Sequence, residues 1–442
     1  MSDPAVYQGR APVRAVVLVT GTEVLTGAVT DTNGPWVSKQ LLDLGVDVAA
    51  VTVVGDRPED LTLALAQAAD WGVALVVTTG GLGPTADDLT AEAVSRAQNR
   101  PMVVDYQLME RIAERVSKTR ARWPSADEDA LAQGVRKQAL IPVGATAVEP
   151  CGTAPGLVVP PAGADGPTVV VLPGPPAELR AMWPSAVATQ TVKDAIEGAS
   201  RRRVELLRLY GLPEAEISAT LRDAAASGVQ LNELEITTCL RGGELEVVTR
   251  FEPRAQAAYD SLLEFLRLRH SNKLFSTDGS TIDQQVAALL RDGGETIGVA
   301  ESCTAGMLAA RLADLPGASR YLTGGVVAYS NQVKSQLVDV GPQLISTYGA
   351  VSIEVAQALA DGARRRLSTS LGVGITGVAG PGGGSEHKPV GYVCVAAVYG
   401  TPGVETDLRE ITRSATFSGG RRAVREQSVT LALHMVAEIL GA

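Results

Sequence analysis

Three short apolar runs, at 14–19, 46–54 and 73–78, are separated by two stretches of helical spacing, at 32–44 and 59–71. Strands joined by crossover helices run parallel, and a parallel sheet is covered by helices on both faces, so its strands read as continuous apolar runs. This alternation constrains the chain more than any other feature and predicts an α/β unit. A polar helical stretch follows at 105–122. Apolar strands at 156–159 and 168–172 complete the unit by about residue 180.

The rhythm changes over 201–273. A strand (204–209), a helix (214–226), two strands around the Arg241-Gly242-Gly243 turn and a helix (254–269) suggest a compact α+β piece. Its arginines read as a solvated face on a spacer, and no GxxG loop marks it as a nucleic-acid clamp. From Asp278 the α/β alternation returns. A helix (281–290) stops at Gly293-Gly294, strands follow at 296–300 and 325–328, and a long amphipathic helix at 420–440 closes the chain. The expected fold class is α/β: two parallel-sheet α/β domains, 1–180 and 276–442, joined by a small α+β domain at 181–275.

Composition narrows the function classes. The net charge is −10 and aromatics make up 4% of the 442 residues. An acidic surface disfavours a phosphate-backbone footprint, and few aromatics leave little for stacking bases. No direct nucleic-acid partner is expected. No apolar run reaches the roughly 20 residues that span a bilayer, and the N-terminus lacks the pattern of a secretory signal. Cys151, Cys239, Cys303 and Cys394 are widely separated, so no CxxC spacing exists, and the three histidines are too few for a His-rich zinc site. A cytoplasmic location is expected.

Two loop systems carry chemistry. In the first unit, Thr79-Gly80-Gly81-Leu82-Gly83-Pro84-Thr85-Ala86-Asp87-Asp88 follows the third strand. Glycines there let backbone N–H groups approach an anion, although the loop is neither a Walker A motif nor GxGxxG. Asp87 and Asp88 beside such a cradle are candidate Mg²⁺ ligands; the alternative is two acids favouring a helix's first turn. Thr20-Gly21-Thr22-Glu23, Asp31-Thr32-Asn33 and Leu172-Pro173-Gly174-Pro175-Pro176 fall at the same carboxyl edge, where α/β sheets bind ligands.

In the last unit, Ser302 follows the 296–300 strand and precedes a helix expected to begin near Thr304, whose N-terminus would stabilise an oxyanion. Lys334, in the first turn after Tyr329-Ser330-Asn331, is the candidate base if burial lowers its pKa. The alternative is an ordinary N-cap serine, and Cys303 is a rival nucleophile without a histidine partner. Thr376-Gly377-Val378-Ala379-Gly380 with Lys388, and Arg421 with Arg425 spaced i,i+4, suit a phosphate. The alternative is a solvated basic face. These residues suggest a serine amidohydrolase or transferase acting on a small phosphorylated molecule.

Together, Glu301-Ser-Cys-Thr-Ala-Gly306, Tyr329-Ser-Asn-Gln-Val-Lys334, Gly349-Ala-Val-Ser352, Thr376-Gly-Val-Ala-Gly-Pro381 and Lys388-Pro-Val-Gly391 resemble the C-terminal domain of the competence/damage-inducible protein A (CinA) family. That domain is known as a nicotinamide mononucleotide (NMN) deamidase. Through Gly80–Asp88, Asp31-Thr-Asn33, Gly152-Thr-Ala-Pro-Gly156 and Leu172–Pro176, the first half resembles the family's N-terminal domain. That domain is related to molybdopterin-binding domains and is a metal-dependent ADP-ribose pyrophosphatase. The middle piece resembles the family's KH-like linker.

The resemblance implies residue roles. Ser302 matches the deamidase nucleophile, with Tyr329 and Lys334 activating it and no metal needed. Thr304, Arg421 and Arg425 match positions near the amide or phosphate, with Gly377, Gly380 and Lys388 as further substrate contacts. Asp88 matches the acid closing the glycine loop and Asp87 its metal partner, with Mg²⁺ the expected ion. Glu23, Asn33, Gly80, Gly81, Gly83, Thr85, Thr153 and Gly174 would line that pocket. The implied substrates are NMN and ADP-ribose or NAD-like dinucleotides, and a homodimer is expected. Two positions depart from the family: Ala305 stands at the first glycine of Ser-Cys-Thr-Gly-Gly, and Val135 where asparagine is common. The alternatives are a molybdopterin- or nucleotide-binding protein without turnover, or an accessory factor in competence or DNA damage.

Overall fold

The computed structural model describes residues 12–119, 127–163 and 166–441. They form two compact units, Met1–Arg203 and Val204–Ala442.

The first unit is built on a six-stranded sheet in the order Asp47–Val54, Arg14–Thr20, Leu75–Thr79, Thr168–Leu172, Gly156–Val159, Thr146–Val148. The first four strands are parallel, and Gly156–Val159 pairs antiparallel with both of its neighbours. The parallel core expected from the alternation is present, and an antiparallel edge is added to it. Only eight residues separate Val159 from Thr168, too few for a parallel crossover of a dozen or more. Alternate residues of the central strands bury on opposite faces. Val16, Leu18 and Val76 pack with Leu61, Leu65, Val94 and Ile112. Ala15, Val17, Leu75 and Val77 pack with Val37, Leu41, Leu179 and Trp183. Both faces are thus covered, which leaves the carboxyl edge as the place for a ligand. The polar helix spans Tyr106–Thr119; the rest of its expected length lies outside the described residues.

In the second unit a five-stranded sheet runs in the order Leu322–Val327, Ile297–Glu301, Leu371–Gly377, Tyr392–Tyr399, Arg409–Thr416. Its first three strands are parallel and its last two antiparallel. Helix Ile353–Arg366 packs on one face. Helices Ile282–Gly293 and Arg421–Leu440 pack on the other. Helix Ile282–Gly293 opens with a full capping box, Thr281 with Gln284, and ends at left-handed Gly294.

The α+β piece is a four-stranded sheet, Glu235–Arg241, Glu244–Phe251, Arg203–Tyr210, Leu274–Ser276, with helices Glu214–Ala226 and Gln256–Arg269. It is tied to the closing helix. The Tyr210 ring stacks on His434 at 3.7 Å, and His434 Nε2 lies 2.8 Å from Glu244 Oε1. Among the described residues no helix is long and apolar enough to cross a membrane.

Candidate active sites

Strand Ile297–Glu301 delivers Ser302 to the carboxyl edge of the five-stranded sheet, where the Ser302 N–H donates to Ile375 O at 2.9 Å. Helix Asn331–Val338, capped by the Ser330 hydroxyl, brings Lys334 to the same point. Lys334 Nζ donates to Ser302 Oγ at 3.0 Å and to the Tyr329 carbonyl at 3.1 Å. Ser302 is 8% and Lys334 2% exposed. Both acceptors are uncharged, and burial, which strips water from the ammonium, pushes the Lys334 pKa down against a smaller opposing effect of the Cys303 sulfur. That is the state a general base needs.

The helix after Ser302 starts later than expected. Ala305 and Gly306 take left-handed conformations, φ 50 and 90, and the helix begins at Met307. Its first free donors are already used: Glu301 Oε2 accepts from Leu308 N at 3.0 Å and Oε1 from Ala309 N at 2.9 Å. The helix end therefore holds a protein carboxylate and is not free to take a second anion. Cys303 is buried, and loss of solvent raises its thiol to about 11. It stays protonated near neutrality, which removes it as the rival nucleophile.

The remaining candidates fall into two groups. The Arg421 guanidinium donates to the Tyr329 hydroxyl at 2.8 Å and to Gly380 O at 2.7 Å. The Tyr329 phenol thus faces the arginine, and only its main-chain carbonyl meets Lys334. Arg425 Nη2 donates to Thr304 O at 2.7 Å, while Thr304 Oγ1 and Arg425 Nε are buried without a partner among the described residues. Buried polar atoms without partners are rare, and here two belong to one hydrogen-bonded pair, Thr304 and Arg425, just past the serine. Gly377 ends the central strand, and Lys388 Nζ donates to Tyr348 O at 2.8 Å, outside the Ser302–Lys334 hydrogen bonds.

In the first unit a cleft of about 350 Å³ opens at the carboxyl edge and is lined by Glu23, Gly80, Gly81, Gly83, Asp87, Asp88, Thr153 and Gly174. Gly80 has φ 109, and a Cβ there would sit 2.4 Å from Thr20 Oγ1, so the two loops approach closely only because it is glycine. Asp88 Oδ2 accepts from the Thr85 N–H at 2.9 Å and its hydroxyl at 2.5 Å, which closes the loop. The Thr85 hydroxyl, a main-chain N–H and the Lys137 charge hold the Asp87 carboxyl below its usual range. Asn33 stands behind the cleft: its Nδ2 donates to Thr79 Oγ1 at 2.9 Å and Gly174 O at 2.6 Å, and its Oδ1 is buried without a partner among the described residues. Val135 packs in the core, so the departure from asparagine there does not alter the lining.

Two lining acids escaped the sequence reading. Asp56 follows the second strand and accepts from Thr22 N and Oγ1, both at 2.8 Å. Glu178 lies in the first turn of helix Pro176–Val187, and burial raises its pKa. Each stands just beyond a strand end at the ligand-binding edge, and that position was the available signal. Among the described residues no three His, Cys, Asp or Glu side chains group as a metal site. A Mg²⁺ ion held by one or two carboxylates and substrate phosphates needs no such cage, so Asp87 and Asp88 fit it.

Comparison with known proteins matches both halves. A family model described as the CinA C-terminal domain covers residues 279–440, and one described as a probable molybdopterin binding domain covers residues 16–192. The chain is similar to a CinA-like protein of Mycobacterium avium (strain 104), 51% identical over 435 residues, 97% of this chain and 98% of that one. A CinA-like protein of Mycobacterium tuberculosis (strain ATCC 25177 / H37Ra) is 49% identical over 431 residues, 97% of each. Among solved structures, the competence/damage inducible protein CihA from Agrobacterium tumefaciens is 32% identical, with a TM-score of 0.34, covering 36% of this chain and 94% of that one.

Proposed function

Since the chain belongs to the CinA family, we propose that it is a bifunctional hydrolase of pyridine nucleotides, an NMN deamidase in its C-terminal half and an ADP-ribose pyrophosphatase in its N-terminal half. The observation that carries the first activity is the buried Lys334 amine 3.0 Å from the Ser302 hydroxyl. Neutral Lys334 takes the serine proton as Oγ attacks the carboxamide carbon of NMN. The Thr304 N–H, which donates to none of the described residues, would be the donor to the developing oxyanion. Lys334 returns the proton to the leaving nitrogen and ammonia departs. Water then attacks the acyl-enzyme, nicotinate mononucleotide leaves, and Ser302 regains its proton. Arg421 and Arg425, at the start of the closing helix, supply the cations for the substrate's phosphate.

The acidic cleft supports the second activity. Asp87 and Asp88 would hold Mg²⁺, which neutralises pyrophosphate charge and lowers the pKa of water. The glycine loop lets the backbone approach the phosphates, and Lys137, hydrogen-bonded to Thr85 O, keeps a cation beside the loop. Glu178, with its pKa raised by burial, is the cleft carboxylate suited to accept a proton from the attacking water.

The test is product analysis by mass spectrometry with NMN and no added metal. Nicotinate mononucleotide from the wild type but not from Ser302→Ala is expected. No product from either protein removes the deamidase reading, and equal product from both removes Ser302 as its nucleophile.

A further inference from the structure

The small sheet and the closing helix meet at a cavity of about 690 Å³, which lies within the second unit and is lined by no residue of either candidate active site. Its volume falls in the roughly 300–1,000 Å³ range of small-molecule sites, which favour seams of this kind. Much of the wall is apolar: Tyr210, Leu274 and Phe275 come from the small sheet, Ile282 and Ala437 from the two helices. His434 holds the two aromatic rings in place, stacked on Tyr210 at 3.7 Å and edge-on to Phe275 at 4.7 Å.

Three charged side chains, Lys273, Arg413 and Glu438, complete the lining. Arg413 pairs with Glu438, so those two charges offset each other. Glu244, bonded to His434, stands outside the lining. Lys273 Nζ donates to the Gly211 carbonyl at 3.0 Å and pairs with no acid among the described residues. One positive charge is thus uncompensated and keeps spare N–H donors. Gly211 has φ 70, and a Cβ there would sit 3.1 Å from Lys273 Nζ, so glycine lets the ammonium rest against the main chain. Burial pushes the Tyr210 phenol up to about 12, which keeps it a neutral donor, and its hydroxyl has no partner among the described residues.

We propose that this cavity binds an aromatic monocarboxylate, with the carboxylate on Lys273 and the ring against Tyr210, Phe275 and Ile282. A single spare positive charge matches a monoanion. A phosphate dianion would bring a second negative charge beside Glu438 with no further free cation to meet it. A carboxylate takes short, charge-assisted hydrogen bonds from an ammonium. A ring buries apolar area against the aliphatic walls and gains edge or offset contacts with the aromatic ones. The walls are already fixed by His434, so little order is lost on binding.

The test is calorimetric titration of the full-length protein with 2-naphthoate and with its neutral counterpart, 2-naphthalenemethanol. The wild type is expected to bind 2-naphthoate at least about tenfold more tightly, one decade in Kd. Lys273→Gln should remove that gap by weakening 2-naphthoate alone. Should Lys273→Gln lower the unfolding midpoint, Ala437→Met takes its place: it fills the cavity from the closing helix and should abolish binding of both probes. Ser302→Ala should bind 2-naphthoate as the wild type does. Equal affinities for the two probes in the wild type, or binding indifferent to the cavity variants, overturns the site. Loss of 2-naphthoate binding in Ser302→Ala overturns it as well, because the probe then sits at the serine centre.

Discussion

Lys334 Nζ lies 3.0 Å from Ser302 Oγ, in a setting where both groups are almost fully buried and neither pairs with a carboxylate among the described residues. Because burial lowers the lysine pKa, the neutral amine gains population as pH rises through a value below the ordinary lysine range. kcat/KM for NMN should rise along that limb, and Lys334→Ala should lose about 10²–10⁴ of the rate. Stability carries the same signature with a definite sign. The folded pKa lies below the unfolded one, so burying the charged amine costs stability below the folded pKa, and the cost disappears above the unfolded value. Lys334→Met is expected to be more stable than the wild type near neutrality, with the difference shrinking at higher pH. Urea titrations of both proteins across pH measure it, and a constant difference would sink the argument.

Glu301 is a buried carboxylate held by two helix N–H groups. Hydrogen bonds to a charged group contribute about 1.5–3 kcal/mol each. Glu301→Ala should therefore destabilise the second unit by about 3 kcal/mol or more. Glu301→Gln keeps one acceptor oxygen and should cost less. Denaturant unfolding of the two variants gives the order, and equal losses would mean that the paired N–H geometry is unimportant.

Ala305 occupies a left-handed position, φ 50, three residues after Ser302. The left-handed region costs a residue with a Cβ about 1–2 kcal/mol. Glycine removes that strain but gains about 0.4–1 kcal/mol of unfolded-state entropy. Ala305→Gly should raise stability by about 1 kcal/mol or less, and β-branched Ala305→Val should lower it. Thermal melts that place glycine below alanine would refute the strain.

The two halves should separate by metal dependence. Chelation with EDTA should abolish ADP-ribose hydrolysis and leave NMN deamidation intact. Asp88→Ala should reproduce the first effect, since it removes a proposed Mg²⁺ ligand and opens the loop that Thr85 closes through it. Parallel assays of both substrates on one preparation decide. Deamidation falling along with hydrolysis would show that the assignment of metal to one half is wrong.

Much of the architecture was legible because apolar periodicity sets it. The helix expected at 32–44 is Asn33–Asp43, the one at 59–71 is Pro58–Asp70, and the closing helix at 420–440 is Arg421–Leu440. Strand direction was less legible, because it depends on connection length rather than on apolar pattern, as the short link after Val159 shows. At the site, the first-turn position of Lys334 followed from its motif, whereas the delayed helix after Ser302 did not. Glu301 reads as the last residue of an apolar strand, and only the fold reveals that its side chain turns back to hold Leu308 and Ala309. Asp56 and Glu178 lie far apart in sequence and meet at one cleft only through strand order.

The closing helix joins two things the chain keeps far apart in sequence. Arg421 and Arg425 at its start touch Tyr329 and Thr304, and His434, about 20 Å further along at 1.5 Å per residue, is stacked on Tyr210 and paired with Glu244 of the small sheet. A buried helix of this length is stiff, so it behaves as a connecting rod. The small sheet holds one end of the rod and the two arginines form the other, so a single stiff element runs from the small sheet to residues flanking Ser302 and Lys334.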